Sequence, residues 1–149
     1  MAKKFKFRLQ TVLKYRQILK DQQEAKLMTA ESARQKTEAD ILGLDDKRHQ
    51  NYQAMVENLK SGFSLQDQLN HESFNKAILY DKSKEKARLA KRIKAVDFEK
   101  AKLLKHNIDL KSIEKLKDNA INLHQKELLH EEMKQIDDLV NSRHRVNRY

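Results

Sequence analysis

The chain has 149 residues, 36% of them charged, with a formal net charge of +10, two glycines and no proline, cysteine or tryptophan. This composition excludes a turn-rich globule, because turns need clusters of Gly, Pro, Asn or Asp that are nearly absent here. It also excludes a disulfide scaffold and fits a reducing compartment. No apolar run approaches the roughly 20 residues that span a bilayer, which predicts a soluble chain. Lys, Glu, Gln, Leu and Ala dominate, all good helix formers, and such a mixture reads as long helices or a coiled coil. Disorder is the alternative for so polar a chain, but the recurring apolar positions described next argue against it.

The first stretch, KFKFRLQTVLKYR at residues 4–16, begins with a basic–apolar alternation and continues with Leu9, Val12, Leu13 and Arg16 at helical spacing. Seven of the first twenty residues are Lys or Arg and none is acidic. A secretory signal would need an apolar core of about 7–15 residues, which is missing. A mitochondrial presequence would be richer in Arg and Ser. For the net charge, specific nucleic-acid binding is not expected, because no aromatic–basic platform or groove-reading motif accompanies it.

A first helix is predicted over residues 4–60. One residue from each turn forms a stripe: Leu9, Val12, Arg16, Leu19, Gln23, Leu27, Ala30, Ala33, Thr37, Ile41, Leu44, Arg48, Tyr52, Met55 and Leu59. Steps of three and four keep one face toward a partner helix. The polar members suit a long two-helix contact rather than a dense core. Gly43 costs about 1 kcal/mol against alanine inside this helix and marks a soft point rather than an end.

The break falls at residues 61–64, where Gly62 supplies a helix cap or a positive-φ turn and Ser64 or Asp67 caps the next helix. That second helix is predicted over residues 65–146, with a stripe of Phe74, Ile78, Lys82, Glu85, Leu89, Ile93, Val96, Leu103, Ile108, Ile113 and Leu116. Closing the hairpin there sets Tyr52 against Phe74, Arg48 against Ile78, Thr37 against Leu89, Ala33 against Ile93, Ala30 against Val96 and Leu13 against Ile113. Small residues thus meet larger ones, as interdigitated packing requires. The expected fold is all-α: a long antiparallel two-helix coiled coil forming one domain over residues 1–149.

The helices are unequal. About 24 residues of the second helix extend past the first, an overhang of roughly 36 Å. It carries its own stripe of Leu129, Met133, Ile136 and Val140, spaced 4, 3 and 4. An apolar stripe without intramolecular cover points to another chain.

Catalytic chemistry is not evident. Gly43 and Gly62 alone cannot form a nucleotide-binding loop. The serines, Asp67 and His71 near the tip read as turn and capping residues rather than a triad. Asp46 with His49 and Glu127 with His130 are carboxylate–histidine pairs at i, i+3, but a di-iron site also needs carboxylates from facing helices. The chain is therefore read as a non-enzyme without cofactor or metal.

Several features occur together: a Phe-x-Phe-x-Leu opening in FKFRLQTVLKYR, a Gly-containing tip near residue 62, and a Lys-rich second helix ending in LKSIEKLKDNAINLHQKELLHEEMKQIDDLVNSRHR. In this layout the chain resembles the flagellar type III export protein family FliJ over essentially its whole length. The resemblance implies a hairpin similar to the central stalk of a rotary ATPase. Its terminal end would sit within a ring of the export ATPase FliI, and its other end would reach the export gate protein FlhA. It also implies a role with export chaperones, and a cytoplasmic location held peripherally at the inner membrane through the gate.

On that resemblance the ring contact is expected at Phe5, Phe7, Leu9, Arg16, Leu129, Met133, Ile136, Val140, Arg143 and Arg145, with Lys3, Lys4, Lys6, Arg8 and Arg148 nearby. The gate contact is expected at Arg48, Tyr52, Phe74 and Ile78. The amino-terminal segment is more densely basic than a stalk requires, which leaves its ring contacts open. Two other readings of the residues also stay open: a structural coiled-coil adaptor of another secretion or cytoskeletal complex, and a basic nucleic-acid-associated helical protein.

Overall fold

The structure, a computed structural model, describes residues 4–146; Lys3 and Arg148 lie outside them. It is a helical hairpin of α1, Gln10–Ser61, and α2, Leu65–Val146, with no strand among the described residues. No helix among these residues is long and apolar enough to cross a membrane.

The first helix starts six residues later than its periodicity suggests. Residues 4–9 keep the alternation of their sequence: Phe5, Phe7 and Leu9 are half-buried while Lys4, Lys6 and Arg8 are exposed. That period of two suits extended chain with one covered side. Three cations here would also oppose the positive end of the helix dipole. A backbone bond from Gln10 N–H to Phe7 C=O (3.2 Å) closes the turn that opens α1.

Contacts divide the chain into two compact units, Gln22–Leu104 and Met1–Asp21 with Lys105–Tyr149. The Gln22–Leu104 unit contains the tip. Gly62 adopts φ 105°, a left-handed conformation that a side chain makes costly. Ser64 and Asp67 then cap α2 reciprocally. The Asp67 N–H donates to Ser64 Oγ (3.1 Å), while the Ser64 N–H (3.3 Å) and hydroxyl (2.8 Å) donate to Asp67 Oδ2. This is the capping box that the spacing of the two residues allows.

The seam of this unit is thin and largely polar. Ile78 and Val96 are its buried apolar residues, and Gln23 and Thr37 are buried with them. On α1 the covered positions include Gln23, Ala30, Thr37, Leu44, Asn51 and Asn58, one per heptad, with Leu27, Arg34, Ile41 and Met55 among those between them. Polar members find partners across the pair. Gln23 Nε2 donates to the Glu99 backbone carbonyl (3.1 Å) and to the Glu99 carboxylate, and Lys82 pairs with Asp45. The Thr37 hydroxyl bonds back to Ala33 C=O (3.0 Å) on its own helix.

In the other unit Leu110 is buried at 4% exposure. The Arg16 guanidinium meets the Asp109 carboxylate at 3.2 Å. The Phe5 ring packs against His124 with centroids 5.5 Å apart. As numbers rise on the first partner they fall on the second, so this pair is also antiparallel.

The stripes expected from the sequence slip locally. Val12, Tyr52 and Leu59 are exposed, and Leu13, Asn51 and Asn58 take the seam instead. On α2, Phe74, Ile93, Ile108 and Leu116 are exposed, while His71 and Asn75, Leu110, and Lys117 are covered. Apart from Ile93, which leaves the seam without a substitute and so does not face Ala33 as expected, each of these residues gives way to a neighbour one to three positions away that better keeps the heptad.

Candidate partner-binding site

At the tip, α1 and α2 present an open depression of about 560 Å³ whose lining includes Arg48, Asn51, Tyr52, His71 and Asn75. Arg48 Nε donates to Asn75 Oδ1 (3.1 Å). His71 is the hub. Its Nδ1 lies 2.7 Å from Asn51 Oδ1, which can only accept, so Nδ1 carries the proton. Its Nε2 is then free to accept from the Asn58 amide at 3.1 Å, and Asn51 Nδ2 donates to the His71 carbonyl at 3.1 Å. The Phe63 ring stacks on the same imidazole, with centroids 6.1 Å apart. His71 is therefore a helix-to-helix bridge rather than a capping residue.

The four residues expected at the gate contact do not form one surface. Tyr52 is 60% exposed and lines the depression, and Arg48 is exposed beside it. Phe74 is 48% exposed but does not line it. Ile78 is 4% exposed and belongs to the core, which removes it as a surface contact. The expected facing of Tyr52 on Phe74 and of Arg48 on Ile78 gives way to Asn51 on His71 and Arg48 on Asn75, because hydrogen-bonded amides and imidazole occupy the seam there.

In the terminal unit the expected ring residues split into two kinds. Phe5, Phe7 and Leu9 are half-buried, and Arg16 is held by Asp109. These residues serve the intramolecular contact. Leu129, Met133, Ile136 and Val140 are 57%, 56%, 59% and 51% exposed, and Arg143 and Arg145 are exposed beyond them. Leu139, which the sequence reading did not include, is 63% exposed between two of them. Among the described residues, every side chain from 129 to 145 is exposed.

The orientation of this stripe is informative. The covered face of α2 in this unit runs through His106, Leu110, Ile113, Lys117, Ala120 and His124. Steps of three and four carry that face on through Glu127 or Leu128 to Glu131, Lys134 and Asp138, nearly all charged. The apolar stripe lies one to two residues off this line, about 100–200° around the helix. It is a separate face, not the end of the intramolecular seam.

No group of three or more metal-ligating side chains gathers among the described residues. A family model described as flagellar FliJ protein matches residues 5–148. The chain belongs to the flagellar FliJ protein family. Its role therefore lies in flagellar protein export, in a family that is a non-catalytic export component. No curated protein and no solved structure matches the chain.

Proposed function

We propose that the chain acts as a stalk of the flagellar export apparatus, with its terminal unit engaging the export ATPase FliI and its tip engaging the export gate FlhA. Chaperone and substrate delivery would be coordinated between the two, and the protein would sit in the cytoplasm against the inner membrane through the gate. The observation that carries this reading is the exposed stripe of Leu129, Met133, Ile136 and Val140, turned away from the helix that covers the rest of the unit. Four large apolar side chains at coiled-coil spacing on an otherwise charged helix need a partner to leave water. Each one fully buried contributes at most about 1.5–3 kcal/mol before the costs of association.

Charge supports the same assignment. Lys4, Lys6 and Arg8 are exposed in this unit, as are Arg143 and Arg145. Such groups steer a chain toward an acidic cavity and set orientation more than affinity. Tyr52, with Arg48 beside it, is the exposed feature that supports gate docking at the tip.

Truncation after residue 125 tests the proposal. His124 and its contact with Phe5 are kept, so helicity per residue stays high. Stimulation of the export ATPase by the truncated chain is expected to disappear. Normal binding and stimulation would place the ring contact elsewhere, and a concentration-dependent dimer of the full chain lost on truncation would assign the stripe to self-association.

A further inference from the structure

Outside these two surfaces, the strongest unassigned feature is the outward face of α2 in the Gln22–Leu104 unit. Tyr80, Lys84, Ala87, Lys91, Lys94, Phe98 and Lys102 are all exposed and follow one another in steps of three or four. At 3.6 residues per turn Tyr80 and Phe98 stand five turns apart and point the same way, and the lysines between them stay within about 40° of that direction. The row is straight, roughly 33 Å long, and holds no acidic residue.

Its chemistry is organised. Lys84 Nζ sits 4.4 Å from the Tyr80 ring centroid and Lys102 Nζ 4.4 Å from the Phe98 centroid. Tyr80 and Phe98 are nevertheless 61% and 59% exposed. Each end of the row thus offers an aromatic ring and an ammonium at one spot. Between them Ala87 and Ala95 leave a shallow depression of about 530 Å³ bordered by Lys84, Arg88, Lys91 and Arg92. Other cations of this helix have carboxylate partners, Lys82 with Asp45 across the pair and Arg88 with Glu85 on the surface of the same helix. Among the described residues, Lys84, Lys91, Lys94 and Lys102 show no carboxylate partner.

We propose that this face of α2 docks on the anionic phospholipid headgroups of a membrane surface. A straight, convex row of cations meets a flat sheet of phosphates along its whole length, whereas the phosphates of a duplex wind around its axis and away from a straight row. A single strand would need open aromatic platforms in a groove, and here a lysine of the same helix already lies over each ring. Tyrosine and phenylalanine beside basic residues are the side chains that settle at headgroup level, ring toward the acyl boundary and charge toward phosphate. The two alanines let headgroups approach the helix between the cations. This contact is independent of the stalk reading, because it uses neither the overhang nor the tip.

Flotation of the full chain with vesicles of phosphatidylglycerol in phosphatidylcholine, and with phosphatidylcholine alone, tests the proposal. Wild type is expected on the anionic vesicles only, weakening as salt rises. Each lysine at an anionic surface strengthens partition about fivefold, so Lys84→Gln, Lys91→Gln, Lys94→Gln and Lys102→Gln together reduce it by roughly a hundredfold or more. A control with the same charge loss, Lys111→Gln, Lys115→Gln, Lys126→Gln and Lys134→Gln, is expected to stay within about fivefold of wild type. Phe98→Ala is expected to remove the part of binding that survives high salt. Circular dichroism verifies that the exposed substitutions leave the helices intact.

Equal binding to neutral vesicles, absence of binding to either, or equal losses in the two quadruple variants would overturn the assignment. Tighter binding of the same face to a single-stranded or duplex oligonucleotide would reassign it to nucleic acid. Loss of self-association in the Lys84 quadruple variant, without any vesicle binding by wild type, would reassign it to a second copy of the chain.

Discussion

Gln23 of α1 reaches across to Glu99 of α2 and donates to both its backbone carbonyl (3.1 Å) and its carboxylate. The glutamine is 3% exposed, so its amide depends on this partner for its hydrogen bonds. A buried polar group at a seam position fixes register at some expense of stability. Gln23→Ala removes the bond and opens a gap, and is expected to cost about 1–3 kcal/mol in urea unfolding followed by circular dichroism. An unchanged midpoint would show that the pair does not hold the helices in register.

At the tip, exposure separates docking residues from packing residues. Tyr52→Ala with Phe74→Ala removes two exposed rings and is expected to leave helicity and melting nearly unchanged while weakening capture by the export gate domain. Ile78→Ala, at 4% exposure, is expected to cost about 2–5 kcal/mol of stability through the cavity it leaves. Gate binding that survives the double substitution in a folded protein would remove the tip rings from the docking surface.

The two glycines are expected to respond oppositely. Gly43 lies within α1 with nothing within 4 Å of a Cβ built on it. Gly43→Ala should therefore stabilise by about 0.5–1 kcal/mol, through helix propensity alone. Gly62 also has open space around it but sits at φ +105°, and Gly62→Ala should destabilise by about 1 kcal/mol or more. Thermal melts of the two variants check the signs, and a fall in melting temperature for Gly43→Ala would mean that this position is strained in a way its open surroundings do not reveal.

Much of the architecture was legible in the sequence because helix formers and a single breaker leave few alternatives. A cap at Ser64 or Asp67 could be read from residue type, and the overhang stripe from its 4, 3, 4 steps, whereas the reciprocal bonding of Ser64 and Asp67 could not. The seam itself was less legible. Apolar character favours Tyr52, Phe74 and Ile108, but half-buried Asn51 and His71 and buried Leu110 occupy the seam. Burial of Asn51 and His71 is tolerated because each satisfies the other, and partnership across the pair cannot be read along one strand of sequence. Tyr80 and Phe98 are similarly too far apart in the chain to suggest a common face. Only the helix turn aligns them with the lysines between.

The proposed ATPase contact is centred on the face formed by Leu129, Met133, Ile136 and Val140. Replacing all four by glutamine preserves helix propensity and touches no residue of the intramolecular seam. The direct measurement is the affinity of this variant for the export ATPase, with wild type as reference and circular dichroism as the control for folding. An unaltered helical spectrum and melting curve are expected, with at least about a hundredfold weaker binding, equivalent to losing roughly 3 kcal/mol of burial. Wild-type affinity in the folded quadruple variant would contradict the proposed contact.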